Sequence, residues 1–211
     1  MATPVRASGV AQVRSLTEVR TLVDAVDRAV YDTVAGTATP RLDGLLVDMS
    51  TAANYSRLWL ATAAAMAVVG GAAGRRAARQ GVLAIVLTSA VTNLVLKPLA
   101  GRQRPARSDH RPVPDSRRVR RPVSTSFPSG HAASAFAFAS AVGQAAPSLR
   151  LPLRVAAATV AYSRVHTGVH YPSDVAIGAA VGELCGWAVR RLAAHRAGVP
   201  RRGGDRDGER R

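Results

Sequence analysis

The chain has 211 residues, 47% of them apolar, with a formal net charge of +16 at pH 7 and only 4% aromatic residues. So large a charge on so apolar a chain excludes an ordinary soluble domain with charges spread evenly over its surface; apolar residues must gather into spans and charges into loops and tails. Few aromatics and abundant Ala, Val, Leu and Gly exclude an aromatic-rich β-sandwich and favour closely packed helices.

In chain order, residues 1–12 carry no periodic pattern. The stretch Val13–Val34 predicts an amphipathic helix, with Val13, Leu16, Val19, Leu22, Val23, Val26 and Val30 at helical spacing among too many charges for a bilayer span. A linker with Gly36 and Pro40 leads to a second short amphipathic piece, LDGLLVDMSTAANYS. Five apolar runs follow: Leu58–Gly74, Gly81–Leu96, Ala132–Ala146, Val155–Tyr162 (extending outward at both ends) and Val175–Val189, which holds one charge, Glu183. Each is near or below the ~17 residues that a span requires, so the spans must tilt, thin the bilayer or recruit flanking residues. A soluble helical bundle is the alternative. Flanking basic residues and one internal charge across all five runs favour the membrane.

The expected fold is an all-α integral membrane bundle of about five apolar helices plus an amphipathic N-terminal helix. Its expected divisions are residues 1–57 (amphipathic, interfacial), 58–191 (membrane domain) and 192–211 (a basic tail ending RRGGDRDGERR). No cleavable signal peptide is visible. The one cysteine, Cys185, reads as a small buried hydrophobe that has no intramolecular disulfide partner. The arginines flank apolar runs and no nucleic-acid-binding motif occurs, so the expected partners are membrane lipids rather than nucleic acid. If all five runs cross, alternation brings the N-terminal region, the Arg- and Pro-rich loop 98–127 and the loop 164–174 to one face. The connections 75–80 and 147–154 and the C-terminal tail then lie opposite.

Three motifs meet on the first face: KPLAGRQRP from Lys97, FPSGHAASA from Phe127, and SRVHTGVHYPSD from Ser163 to Asp174. Taken singly, each has a plain reading as flanking cations, a helix-starting turn, or structural histidines. The spacing of His166, His170 and Asp174 would even suit metal ligands on one helix face, except that Pro172 opposes an unbroken helix there. Together they make chemical sense. A Ser-Gly turn opening a helix binds phosphate with free N–H groups and a positive dipole end. Lys97, Arg104 and Arg164 supply cations for the oxygens of a phosphoryl group. Two histidines suit the roles of nucleophile and general acid. Lys97 is the single lysine among twenty-nine basic residues, a hint that its compact ammonium matters.

These residues resemble the signature of the type 2 phosphatidic acid phosphatase superfamily, K-x6-R-P, P-S-G-H and S-R-x5-H-x3-D. The matches are Lys97 to Arg104-Pro105, Pro128 to His131, and Ser163-Arg164 to His170 and Asp174. The resemblance implies that His170 is the nucleophile, that Asp174 orients it, and that His131 protonates the leaving oxygen and then activates water. It implies that Lys97, Arg104, Ser129, Gly130 and Arg164 hold the phosphoryl group, with no metal and no cofactor. His166 has no signature role and reads as a packing or headgroup contact, while Tyr171 and Pro172 set up the last helix.

The expected activity is hydrolysis of the terminal phosphate of a lipid phosphate or diphosphate: a polyprenyl (di)phosphate, phosphatidic acid or phosphatidylglycerophosphate. A composition rich in Ala and Arg resembles actinobacterial members, which suggests polyprenyl carriers. The expected location is the plasma membrane, multi-pass, with the site on the extracytoplasmic face. Alternatives are a vanadate-dependent haloperoxidase-like enzyme, against which the apolar spans argue, and a phospholipid-binding protein without turnover, which should lack a catalytic residue.

Overall fold

The computed structural model describes residues 15–105 and 112–198. The first twelve residues, Val13 at the start of the predicted N-terminal helix, the middle of the polar loop and the end of the basic tail lie outside the described residues.

Every regular element among the described residues is helical: α1 (Leu16–Gly36), α2 (Pro40–Ala52), α3 (Arg57–Val69), α4 (Gly71–Ala90), α5 (Lys97–Ala100), α6 (Gly130–Ala145), α7 (Arg150–His166) and α8 (Pro172–Gly198). Ser15 begins α1 with a capping box, its hydroxyl on the Glu18 N–H and the Glu18 carboxylate on the Ser15 N–H. A π-helical turn, Val91–Leu96, joins α4 to α5, so that one rod runs from Gly71 to Ala100. That rod is the one helix among the described residues long and apolar enough to cross a membrane by composition.

The structure redraws several boundaries. The expected 75–80 connection is helical, because the chain reverses earlier, at Gly70-Gly71. Gly71 takes φ +56°, and a side chain on Gly70 would collide with the Met66 carbonyl at 2.6 Å. The first apolar run therefore ends at Val69 rather than Gly74. The 147–154 connection shrinks to a short 3-10 turn, Pro147–Leu149, and the run around Val155 extends at both ends into α7.

Helix α6 is the axis of the bundle. Ala132 to Ala135 and Ala137 to Gly143 are all buried, a run with almost no exposed face. Helix α8 meets it along Gly178, Gly182 and Gly186. A Cβ on Gly182 would stand 2.2 Å from the Ala133 carbonyl oxygen, and one on Gly178 2.5 Å from that of Ser129. Small residues at every fourth position thus let the two backbones touch. On the other side, Phe138 fills the space over Gly81 of α4, and its ring centroid lies 5.5 Å from that of Trp59 in α3.

The outer faces reverse the usual polarity. Val68 is 81% exposed, Leu94 76% and Leu99 79%, whereas Thr88, Thr92 and Ser140 are buried. Helix α1 does the same: Leu16, Val19, Leu22, Val23, Val26 and Val30 face outward, while Asp27 and Tyr31 are buried against the bundle. Large apolar side chains outside and small or polar ones inside suit an apolar solvent.

Candidate active site

Five helix ends converge at one pole of the bundle: the start of α3, the end of the α4–α5 rod, the start of α6, the end of α7 and the start of α8. All three sequence motifs lie there.

Lys97 leaves the π turn with its ammonium 3.0 Å from Asn93 Oδ1 and 3.3 Å from Ser124 Oγ. The π turn inserts an extra residue per turn, a feature frequent at functional sites. Gly130 stands close by, so that a Cβ on it would lie 3.9 Å from Lys97 Nζ. Arg104 donates to the carbonyls of Ser124 (2.9 Å), Thr125 (3.2 Å) and Val169 (2.8 Å), and its Nη1 lies 3.0 Å from His170 Nε2. Burial pulls the guanidinium down to about 10, with Asp174 opposing and Arg121 assisting that shift.

Ser129 and Gly130 open α6 after a cis peptide between Phe127 and Pro128. The Ser129 N–H donates to the Asp174 carbonyl at 2.9 Å, which ties the second motif to the third. Ser129 Oγ is buried without a partner among the described residues, as is Arg164 Nε. His131, in the first turn of α6, places Nε2 2.9 Å from Asn54 Oδ1.

The third motif is broken as Pro172 requires: α7 ends at His166 and α8 starts at Pro172. Between them the chain turns at Gly168, φ +69°, where a side chain would strike Val113 and the Tyr31 hydroxyl. The N–H groups of Val169 and His170 both return to the Arg164 carbonyl at 3.2 Å. His170 is wholly buried, with Nδ1 3.5 Å from Asp174 Oδ2, a close approach without a formed hydrogen bond. Asp174 also accepts from the Tyr171 N–H at 2.9 Å, the acid half of a capping box for α8. An arginine N–H at His170 Nε2 can only donate, so Nε2 must present its lone pair and Nδ1 must carry the proton toward Asp174. Burial, joined by Arg104 and Arg164 against the pull of Asp174, pushes the imidazole down to about 4.

The structure therefore brings Lys97, Arg104, Ser129, Gly130, His131, Arg164, His170 and Asp174 to one pole. His166, at the same pole, makes its bond elsewhere. It is buried with Nε2 3.1 Å from Asp43 Oδ1, a packing contact inside the protein rather than a headgroup contact. Asp43 of α2 in turn accepts from Arg117 Nε (2.9 Å), Ser116 Oγ (2.9 Å) and Thr39 Oγ1 (2.9 Å). This network pins α2 and the polar loop to the end of α7.

Sequence reasoning missed Asn54 and Ser50 altogether. Ser50 Oγ accepts a short hydrogen bond from Arg164. Asn54 precedes Tyr55 and Ser56, two non-glycine residues at φ +53° and +58°, and nothing in the sequence marks that turn. Arg102 was also missed: it lies inside the first motif, but its three carboxylate partners are remote in the sequence and only the fold brings them to it.

Residues 77–197, more than half of the chain, match the model of the PAP2 superfamily. Over 93 residues, the chain is 44% identical to decaprenylphosphoryl-5-phosphoribose phosphatase of Mycobacterium tuberculosis, covering 44% of this chain and 49% of that protein. Over 110 residues it is 34% identical to lipid A 4'-phosphatase of Bacteroides thetaiotaomicron, covering 50% and 48%. The chain thus spans about half the length of each of these phosphatases. The transmembrane PAP2-type phosphatidylglycerolphosphate phosphatase of Bacillus subtilis shares the fold at TM-score 0.61 and 23% identity, over 82% of this chain and 87% of that one. Aquifex aeolicus LpxE does so at TM-score 0.62 and 24% identity, over 77% and 93%. With the fold, the three motifs and the matched residues in agreement, the chain belongs to the PAP2 superfamily.

Proposed function

We propose that this protein is a membrane phosphatase that hydrolyses the terminal phosphate of a lipid phosphate or diphosphate through a phosphohistidine. The observation that carries this reading is the His170 Nε2 lone pair, held at 3.0 Å from Arg104 Nη1, in a motif that the Ser129 N–H ties to the opening turn of α6 through the Asp174 carbonyl at 2.9 Å. The unpartnered Ser129 Oγ and Arg164 Nε are buried donors of the kind that phosphoryl oxygens satisfy.

In this mechanism the phosphoryl oxygens lie among Lys97, Arg104, Arg164, Ser129 and the Gly130 N–H. His170 Nε2 attacks phosphorus and the bond to the lipid oxygen breaks, with a proton from His131 going to that oxygen. Asp174 holds the Nδ1 proton and offsets the positive charge that forms on the imidazole. His131, now neutral, takes a proton from water as the water attacks the phosphohistidine, and inorganic phosphate leaves. Asn54 holds the His131 ring in place.

The relative named for a decaprenyl-linked ribose phosphate supports a polyprenyl-linked phosphate as substrate. The outward apolar faces support lateral access of a lipid tail from a bilayer. We place the protein in the plasma membrane with the site extracytoplasmic, residues 1–57 as an interfacial region, 58–191 as the membrane domain and 192–211 as a basic tail, the first part of which, through Gly198, continues α8. The test is phosphate release by purified protein across a panel of lipid phosphates and diphosphates, in EDTA, with and without vanadate. Release that withstands EDTA and is blocked by vanadate is expected. Absence of release from every member overturns the proposal.

A further inference from the structure

Arg102 occupies none of the signature positions, yet its guanidinium joins the third motif to the N-terminal helix. Its Nη1 lies 2.7 Å from Ser173 Oγ and 3.0 Å from Asp174 Oδ1. Its Nη2 lies 2.8 Å from Asp24 Oδ1 and 2.7 Å from Asp27 Oδ2, and its plane sits over the Tyr171 ring, 4.5 Å from the centroid. Asp27, only 2% exposed, also accepts from the Ser173 N–H at 2.8 Å and from the Ser173 hydroxyl.

The division of labour on Asp174 is informative. Oδ2 serves the Tyr171 N–H and faces His170 Nδ1, while Oδ1 is held by Arg102. A carboxylate gripped at both oxygens cannot rotate about its last torsion, so Arg102 fixes the plane that His170 meets. Arg102 in turn is fixed by two carboxylates of α1. Burial works against its charge, but Asp27 and Asp174 outweigh that and hold the guanidinium above its ordinary range.

We propose that Arg102 is a positioning residue for Asp174 and His170, and that Asp27 makes α1 a working part of the active site rather than only a membrane-facing attachment. The inference rests on the phosphatase reading for its kinetic arm only. Helix α1, whose outer stripe is apolar, thereby links the seating of the protein on a lipid surface to the geometry of the nucleophile.

Charge and geometry can be separated by three variants. The charged groups facing His170 are Arg104 from the polar loop, Arg164 of α7 and Asp174 of α8, with His131 of α6 across the site. Those facing Arg102 are Asp24 and Asp27 of α1 and Asp174. Arg102→Gln removes a cation and leaves Asp174 acting undamped on His170, so the His170 titration should move upward by roughly half a unit or more. Arg102→Lys keeps the charge and loses the fork, so kcat should fall about tenfold or more while KM and the His170 titration stay near wild type. Asp27→Asn releases Arg102 toward Asp174, so kcat should fall without an upward move of the titration.

The titration is read by NMR on protein carrying 15N-labelled histidine, with the His170 signal assigned by its loss in His170→Gln. It does not depend on turnover. A wild type that hydrolyses no lipid phosphate refutes the function proposed above and leaves the titration to test Arg102. An unmoved His170 signal in Arg102→Gln, or wild-type kcat in Arg102→Lys, overturns the positioning role. Equal losses of stability in Arg102→Gln and Asp27→Asn with no change in the titration overturn it too, since that is what a purely structural bridge produces.

Discussion

Replacing Gly182 by Ala adds one methyl group at the closest approach of α8 to α6. That Cβ would meet the Ala133 carbonyl oxygen at 2.2 Å and the Ala137 nitrogen at 2.9 Å, both backbone atoms that cannot swing aside. Ordinary contact begins near 3.4 Å, so the helices must part by about 1 Å or more. Overpacking of this kind costs roughly 1–3 kcal/mol. The functional cost is larger, because the start of α6 carries Ser129 to His131 and the start of α8 carries Asp174, and the Ser129 N–H bonds the Asp174 carbonyl across the gap. A displacement of about 1 Å between reacting groups costs on the order of 100-fold in rate. We expect a small drop in thermal midpoint and a loss of phosphate release near that factor, with KM for a lipid phosphate changing less than kcat. A Gly182→Ala protein with wild-type turnover would refute the view that this contact sets the site.

Four further outcomes are expected. His170→Ala should abolish turnover and any acid-labile phosphoenzyme trapped from labelled substrate; turnover near wild type would remove it as nucleophile. Because burial and the cations of Arg104 and Arg164 hold the folded His170 near 4, against about 6.5 unfolded, the unfolded state binds more protons between those values. This group's contribution is therefore fully present above about pH 6.5 and lost as pH falls toward 4, and thermal midpoints of wild type and His170→Gln over pH 4–7 should show the slope reduced in the variant. Asp43→Ala leaves Arg117 and His166 buried without their carboxylate and should destabilise by about 3 kcal/mol in thermal melts, with activity per folded molecule largely kept. Lys97→Arg should cost at least about tenfold in kcat, since a guanidinium does not fit between Asn93, Ser124 and Gly130 as an ammonium does; unchanged kinetics would make the solitary lysine incidental.

Which residues would meet was more legible in the sequence than where the helices end. The three motifs have fixed spacing because each must present several groups from one short piece of backbone, and spacing survives in the bare sequence. Pro172 correctly divided His166 from His170, since a proline at the first turn of α8 leaves no place for continuous helix. The boundary at Gly70-Gly71 was misjudged because Arg75 and Arg76 look like the end of a span, whereas the reversal depends on a positive φ that only the backbone shows. Asn54, Ser50 and Arg102 were illegible for a different reason. Each acts through a partner 71 or more residues away, as in Arg102 with Ser173, Asn54 with His131 and Arg164 with Ser50, and no local pattern encodes such a pairing. The outward stripe of α1 was visible as periodicity, but which face would be buried was not. Asp27 decides it, by needing Arg102 and Ser173 more than Val26 and Val30 need cover.

Arg104 has one further consequence. Its Nη1 covers the lone pair of His170, so under the proposed mechanism the nucleophile is masked by the group meant to grip the substrate. A doubly charged phosphate competes for that guanidinium far better than a neutral imidazole does, and its arrival exchanges an N–H···N contact for N–H···O contacts. On the proposed mechanism the lone pair would thus be uncovered in the act that delivers phosphorus to it. An uncharged phosphotriester brings no such exchange and should find the imidazole still shielded, so discrimination against neutral electrophiles begins before any chemistry takes place.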